Sequence, residues 1–412
     1  MAASTQYQHT LSNGLTLLAE RMDHVRSASM YVLVPAGYTH EPADRPGLAG
    51  LFTELLTRGA GDRDSRALSL ALDNLGCDRS ESVGPFNVIL SAGTLARNLS
   101  AVLPLYADIL RRPHLPVDEL EPCQELALQD LLGLEDSPQE RVMLELKARY
   151  YPAPYGRNRY GTADGLTAVT PADVRGLYQR RVRANGAILS VAGAVNWPRL
   201  KAQVEELLGD WEGGADPAPR PGSFAPTSTH LHKDTQQTQV SLAFPSVPLT
   251  HPDYYAARGA VGVLSGGMSA RLFTEVREKR GLCYSVYASH DSVKDVAAVV
   301  GYAGTRADRA QETLDVMAAE FRKLPAGVSG DELDRVKAAL KTTLVMQQES
   351  TAARAGSMAG DWFHLGRVRP VEEVRAAVDG LTVDAVSDHA RRFPADKLTV
   401  VTLGPDPLTV PD

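Results

Sequence analysis

Histidine and cysteine side chains are the residues of this chain best suited to metal binding or nucleophilic chemistry. The 412 residues include ten histidines and three cysteines. His230 and His232 form an H-x-H pair that is close enough to chelate one ion. A metal site would need a further ligand, and the simplest interpretation of the pair is two solvated linker residues.

The three cysteines are far apart in the sequence and lack the spacing of metal ligands. We interpret Cys77, Cys123 and Cys283 as reduced, partly buried thiols, as is usual in a cytoplasmic protein. The chain also lacks the G-x-S-x-G, P-loop and G-x-G-x-x-G motifs. Nucleophilic serine chemistry and nucleotide binding are therefore not expected.

Charge and hydropathy exclude several classes of partner. The net charge is −7 and no long basic run is present, so we expect no nucleic-acid partner. No stretch approaches the roughly 20 apolar residues of a membrane span. The N-terminal residues MAASTQYQHTLSNG lack a basic start followed by an apolar run, so no signal peptide is expected. We predict a cytoplasmic protein without a membrane partner.

An internal repeat relates the two ends of the chain. Several identical residues recur at a constant offset of 211 positions. These pairs are Asp173 and Asp384, Arg180 and Arg391, Ala184 and Ala395, and Gly193 and Gly404. The tetrapeptides THEP at Thr39 and THPD at Thr250 show the same offset. The chain is therefore interpreted as a tandem duplication.

The repeat predicts the domain organisation. Residues 1–211 form an N-terminal half, residues 212–230 a linker rich in Pro and Gly, and residues 231–412 a C-terminal half. Each half opens with a strand (SMYVLVPAG, TQVSLAFPSV), continues with amphipathic helices and closes with a strand (AILSVAG, LTVVTLG). We predict an α+β fold of two homologous halves, each a mostly antiparallel sheet with helices on one face.

The segment GLAGLFTELLTRGA, residues 47–60, is predicted to form a buried helix. Its leucines and phenylalanine recur at helical spacing, Pro46 precedes it, and Gly59 lies near its end. Glu54 could be a displaced catalytic base, but a carboxylate paired with Arg58 at i,i+4 is the simpler interpretation.

Seven segments, spread along nearly the whole chain, match the pattern of one known family. They are NGLTLLAER, PAGYTHEP, GLAGLFTELLTRGA, YPAPYGRNRYGT, AILSVAG, GGMSARLFTEVREKRGLCYSVYA and DELDRVKAALKTTL. In order and spacing they resemble the pitrilysin/insulysin-type inverted-zincin peptidases, in the short mitochondrial-processing-peptidase-like branch. The resemblance implies a LuxS/MPP-like metallopeptidase architecture.

The resemblance also implies that the zinc site has been lost. Active members carry H-x-x-E-H, two histidine ligands with a glutamate base between them. Those positions fall here on Gly50, Thr53 and Glu54, and the third ligand falls at or beside Gln129 and Asp130. A single carboxylate without imidazoles is not a zinc site. We expect no metal cofactor in this chain.

A second pair of family residues is retained. In the family an arginine and a tyrosine seven residues apart bind the substrate backbone and hold the developing oxyanion at the zinc site of the facing half. They correspond to Arg277 and Tyr284. The alternative interpretation is structural: Arg277 lies in a charged run, and Tyr284 could simply pack beside Val286.

Loss of the metal with retention of this pair predicts the zinc-less subunit of a heterodimeric peptidase. Its expected partner is a related chain with H-x-x-E-H and bound zinc, and its expected substrates are peptides or unfolded segments. Alone, it should have no metal-dependent peptidase activity. Two alternatives stay open: a purely structural assembly subunit, and a peptide-binding homodimer without catalysis.

Overall fold

The computed structural model describes residues 5–214, 219–222 and 225–411, which divide into two compact units. Unit 1 comprises the described residues within 1–132, 157–220 and 347–368, and unit 2 those within 133–156, 221–346 and 369–412. The units are not the two continuous halves 1–211 and 231–412, because each half gives a segment to the other unit. Residues 215–218 and 223–224 of the predicted linker lie outside the described residues.

The described residues form thirteen strands and fourteen α-helices. The strands are β1 Thr5–Thr10, β2 Thr16–Arg21, β3 Ser27–Val34, β4 Gly59–Ala60, β5 Arg63–Asp64, β6 Asp78–Val83, β7 Val88–Leu95, β8 Ile188–Gly193, β9 Thr229–His232, β10 Gln237–Ser246, β11 Cys283–Val293, β12 Val296–Arg306 and β13 Thr399–Gly404. The helices are α1 Leu48–Leu56, α2 Ser65–Asn74, α3 Leu99–Arg111, α4 Leu120–Gly133, α5 Pro138–Tyr150, α6 Ala163–Ala168, α7 Pro171–Arg181, α8 Trp197–Leu208, α9 Tyr254–Ser265, α10 Ala310–Lys323, α11 Gly330–Glu349, α12 Thr351–Leu365, α13 Val371–Asp379 and α14 Val383–Arg392. A π-helical segment, Phe273–Glu278, precedes β11.

The sheet of unit 1 has six strands in the order β1-β2-β8-β3-β7-β6. All neighbouring pairs are antiparallel except β2 and β8. A hairpin joins β1 to β2 at Asn13-Gly14, where Gly14 has a φ of 91° that favours glycine. The sheet of unit 2 has five strands in the order β11-β12-β10-β13-β9, with β13 and β9 parallel. The predicted α+β class and mostly antiparallel sheets are therefore confirmed.

Helices cover both faces of the sheet in unit 1, and the prediction of helices on one face is wrong there. Alternate residues of a strand point to opposite faces. Leu17 and Ala19 of β2 belong to the main core with α1, whereas Leu18 packs with Met358 of α12 on the other face. Burial on both faces explains why every residue of β8 is buried.

The helices that cover the second faces are exchanged between the sequence halves. Helix α5, from the first half, packs on β10 and β13 in unit 2, and α12, from the second half, packs on β3 and β8 in unit 1. The two helices are equivalent in the repeat. Helix α5 follows α4 and α12 follows α11, and both α4 and α11 begin near a DEL tripeptide, at residues 118–120 and 331–333. The predicted boundary at residues 212–230 does not separate these units.

Polar contacts fix each exchanged helix in its unit. On α12, the Arg354 guanidinium donates to the Glu20 carboxylate on β2, with Nη2–Oε2 at 2.6 Å, and both side chains are buried. Beside α5, Lys147 Nζ lies 3.0 Å from Asp291 Oδ1, and the Tyr151 hydroxyl donates to Asp291 Oδ2 at 2.9 Å. A buried ion pair favours one position of the helix over others.

No helix among the described residues is both long enough and apolar enough to cross a bilayer.

Candidate functional site

Helix α1 in unit 1 carries the positions at which the resemblance implies a lost zinc motif. Its apolar residues Leu51, Phe52 and Leu55 are buried in the core of unit 1. The helix predicted within residues 47–60 is confirmed and extends over Leu48–Leu56. Gly59 lies beyond its end, in β4, and has a φ of 106°. The core contacts fix the orientation of α1 and therefore of its remaining positions.

Glu41 holds the first turn of α1. Its Oε1 accepts a hydrogen bond from the Ala49 amide at 2.8 Å, and the side chain is buried. Burial raises the pKa of this carboxyl to about 7, although the amides of Ala49 and Gly47 and the charge of Arg157 lower it. Glu41 is therefore a buried cap whose ionisation falls in the neutral range.

The positions of the first ligand and the base offer no group to a metal. Gly50 has no side chain, and a Cβ atom placed there would meet nothing within 4 Å. Thr53 is buried, and its hydroxyl donates to the Ala49 carbonyl at 2.8 Å. Its oxygen is therefore committed to the helix backbone.

Glu54 forms an ion pair with Arg58 at i,i+4, as the simpler of the two interpretations of this carboxylate predicted. Its carboxylate lies 3.9 Å from Arg58, and Arg58 also lies 3.7 Å from Glu119. The Glu54 side chain is 62% exposed, so this is a solvated ion pair and contributes little to stability.

These residues do not fit a zinc ion. Gln129 and Asp130 are exposed on α4 and bring no imidazole to α1. Within the ranges 5–214, 219–222 and 225–411, no group of three or more His, Cys, Asp or Glu residues could hold a metal ion. No chemistry through a metal is therefore derived for unit 1.

The H-x-H pair is not part of a linker, so that interpretation is wrong. His230 and His232 lie on β9, which pairs in parallel with β13. His230 Nδ1 lies 2.8 Å from the Thr402 hydroxyl, and partial burial lowers the pKa of this imidazole. This strand has only four residues, too few for a hydrophobic pattern to predict it.

Unit 2 carries the second candidate site in the segment that leads into β11. Its first residue, Arg271, is held by Glu332 through two hydrogen bonds, with Nε–Oε1 at 2.6 Å and Nη2–Oε2 at 3.0 Å. These bonds lower the pKa of the Glu332 carboxyl to about 2. The ion pair fixes the start of the segment against α11.

The segment then widens into a π-helix. The Lys279 amide donates to the Thr274 carbonyl, five residues earlier, at 2.9 Å. Glu275 closes the same turn through hydrogen bonds with Lys279 and Arg280, which lower its pKa to about 2. Short π-helical turns are often found at functional sites. Gly281, with a φ of 58°, follows this helical segment and leads into β11.

A β-bulge places Tyr284 in solvent. The pairing of β11 with β12 shifts by one residue between Cys283 and Ser285, so that Tyr284 is the extra residue. Its side chain is 83% exposed, which excludes the alternative that it packs beside Val286. The neighbouring Cys283 is half-buried, and burial raises its pKa to about 11.

Arg277 is stacked between two aromatic rings. Its guanidinium carbon lies 4.9 Å from the centroid of the Phe273 ring and 4.8 Å from that of Tyr284. Within the described part of the chain, this guanidinium forms no ion pair and no hydrogen bond. Stacking leaves the N–H groups at its edge free to donate hydrogen bonds to a ligand's oxygen. The solvated ion pairs of the alternative interpretation form instead on Lys279 and Arg280.

The cysteines behave as the sequence predicted. All three are free, with Cys77 and Cys123 buried and Cys283 partly buried. Burial raises the pKa of each thiol, so none is a reactive thiolate near neutral pH.

Comparison with known families matches most of the chain in two consecutive blocks. Residues 16–163 match the model described as insulinase (peptidase family M16), and residues 168–340 match the model described as peptidase M16 inactive domain. The chain belongs to peptidase family M16. Its lack of the H-x-x-E-H residues makes it a zinc-less member, as the resemblance implied.

Relatives and solved structures match this chain over nearly its full length. An uncharacterized zinc protease of Mycobacterium bovis is 27% identical over 98% of this chain and 94% of its own. One of Rickettsia felis is 24% identical over 97% of both chains. A Pseudomonas fluorescens structure of a peptidase M16 inactive domain covers 99% of both chains with a TM-score of 0.91 at 23% identity. A Helicobacter pylori protease gives a TM-score of 0.90 at 20% identity and covers 98% of this chain and 100% of its own. These structures confirm the fold.

Proposed function

We propose that this chain is the zinc-less subunit of a heterodimeric M16 peptidase and contributes substrate binding and charge stabilisation to a composite active site. One observation carries the proposal: Arg277 and Tyr284 form a preorganised pair of donors, whereas Gly50, Thr53 and Glu54 offer no metal site. An isolated pair of this kind has no nucleophile to assist. It requires a partner that supplies the rest of the chemistry.

The proposed chemistry of the pair follows from its hydrogen-bonding groups. Attack on a peptide bond builds negative charge on the carbonyl oxygen, and fixed N–H and O–H donors stabilise that charge. The Arg277 guanidinium carries a permanent positive charge, and the exposed Tyr284 hydroxyl is a single donor. In the proposed heterodimer, zinc held by the partner's H-x-x-E-H residues activates the attacking water.

An exposed sheet edge in unit 1 supports a peptide substrate. Among the described residues, β6 pairs with β7 alone and lies at the edge of the sheet beside α1. An edge strand offers free backbone groups to which an extended peptide can add. The proposed substrates are therefore short peptides or unfolded segments, which can extend along such an edge.

The test is reconstitution with the H-x-x-E-H homologue from the same genome. Both chains are expressed separately and together, and cleavage of a quenched fluorescent peptide is measured for each chain and for the mixture. The proposal predicts a stable complex, zinc bound to the partner, and cleavage that greatly exceeds the sum of the two separate chains.

The alternatives give different results in the same experiment. A complex whose activity equals that of the partner alone would indicate a structural subunit. No association, together with self-association and peptide binding, would indicate a peptide-binding homodimer. Stoichiometric zinc and peptide cleavage by this chain alone would contradict all three functions.

A further inference from the structure

A cleft of about 240 Å³ opens in unit 1 between the first turns of α3 and α8. The strands before these helices, β7 and β8, both pair antiparallel with β3 from opposite sides. Their carboxyl ends therefore emerge at the same edge of the sheet, which brings the two first turns together. None of the residues of the Arg277 site or of α1 lines this cleft.

The lining of the cleft is positively charged. Arg97 and Arg199 are its charged residues, and it contains no Asp or Glu. Within the described residues, neither guanidinium forms an ion pair or a side-chain hydrogen bond. The chain as a whole has 50 acidic and 43 basic residues, so two unpaired arginines in one concave surface are a local reversal of charge. Such a surface attracts an anion.

The floor of the cleft is apolar. Leu99, Leu103 and Leu200 are nearly buried and form its base. The neighbouring Gln203 donates one N–H of its side-chain amide to the Ser100 carbonyl at 2.7 Å, which fixes this side chain beside the floor. A ligand that fills the cleft therefore places apolar atoms on the floor and negative charge at the rim.

We infer that this cleft binds a small aliphatic carboxylate, with its carboxylate held by Arg97 and Arg199 and its chain on the leucine floor. Its volume is below the roughly 300 Å³ at which pockets for drug-sized ligands begin, so the ligand has few atoms. Guanidinium groups bind carboxylates with charge-assisted hydrogen bonds. This inference does not depend on the proposed peptidase function.

The test is calorimetric titration of the full chain with hexanoate, compared with hexan-1-ol and with inorganic phosphate. The matched variants are Arg97→Gln/Arg199→Gln and, as a control, Arg66→Gln, an exposed arginine on α2 of the same unit. We expect saturable binding of hexanoate, at least about tenfold weaker in the double variant and unchanged in the control, because the double variant loses the charge-assisted hydrogen bonds to the carboxylate.

Three results would overturn the inference. They are the absence of saturable hexanoate binding, equal affinity of wild type and the double variant, and phosphate binding as tight as that of hexanoate. The last result would show that the leucine floor contributes nothing. Circular dichroism of the double variant checks that its fold is retained.

Discussion

The guanidinium carbon of Arg277 lies 4.8 Å from the centre of the Tyr284 ring, across the turn that joins the π-helix to β11. Two irregularities of the backbone produce this contact. The π-helix sets the direction of Arg277, and the bulge at Cys283 and Ser285 turns Tyr284 out of the strand. A regular helix and a regular strand would not direct both side chains in this way. The geometry supports a joint role of the two residues.

Phe273 is predicted to position Arg277 without touching substrate. Replacing Phe273 by Leu removes one of the two rings that hold the guanidinium, a contact of about 0.5–1 kcal/mol at an exposed site. In the reconstituted heterodimer we expect kcat/KM to fall about two- to fivefold, and Phe273→Tyr to restore it. Unchanged kcat/KM in Phe273→Leu would show that the Tyr284 ring alone positions the guanidinium.

The buried ion pair between Arg354 and Glu20 predicts an asymmetric cost of mutation. Glu20→Gln leaves the Arg354 charge buried without a carboxylate and should lower the free energy of unfolding by about 3–5 kcal/mol. Glu20→Leu/Arg354→Met removes both charges and should cost less. The measurement is urea unfolding of each variant.

Arg21, which follows Glu20 on β2, forms an exposed ion pair with Asp23 and provides the control. Arg21→Met should change the free energy of unfolding by no more than about 1 kcal/mol. A double variant less stable than Glu20→Gln would contradict this account of how α12 is held.

The raised pKa of Glu41 predicts that the protein loses stability as the pH rises. Its pKa is about 7 in the folded chain and about 4.5 ordinarily, so folding favours the protonated carboxyl. Its contribution to stability is complete below pH 4.5 and is lost as the pH rises through 7. Glu41→Gln keeps an acceptor for the Ala49 amide without the charge. It should be more stable than wild type at pH 8, and the difference should shrink towards pH 5; a difference independent of pH would contradict this.

The lowered pKa of His389, in unit 2, predicts the opposite dependence of stability on pH. Its pKa is lowered to about 4, chiefly by burial; the charge of Asp253 opposes this shift, and the charges of Arg392, His251 and His290 add to it. The neutral imidazole is therefore favoured by folding, and its contribution to stability is present above the ordinary pKa of 6.5 and lost as the pH falls towards 4. The urea midpoint should decrease between pH 7 and pH 4.5.

The variant His389→Gln isolates this effect. Its urea midpoint should decrease less than that of wild type over the same pH range. His24→Gln, at an exposed position, should follow wild type. An equal decrease in all three proteins would show that other groups cause the acid sensitivity.

Features with a local or repeated pattern could be predicted from the sequence. The hairpin at Asn13-Gly14, the helix α1 and the buried strands β8 and β13 depend on turn chemistry and on hydrophobic patterning over a few residues. The constant offset of 211 positions similarly indicated the duplication.

Features that depend on distant contacts could not be predicted. The pattern of α5 does not show that it packs on β10 and β13, because an apolar stripe fits either sheet. The bulge at Tyr284 arises from pairing with β12, and the strand that contains His230 from pairing with β13. Glu41 accepts its hydrogen bond from the Ala49 amide, eight residues later in the chain. This spacing is longer than that of a local capping motif.

The central claim is that Arg277 and Tyr284 act in a peptidase active site completed by a partner. The most direct measurement is peptide cleavage by the reconstituted heterodimer with Arg277→Ala/Tyr284→Phe, compared with Arg306→Ala/Tyr287→Phe on the two neighbouring strands β12 and β11. The account predicts that the first variant still associates but loses kcat by about 10²-fold or more, as when an oxyanion donor is removed, while the second keeps its activity. Equal activity of the first variant and wild type would contradict it.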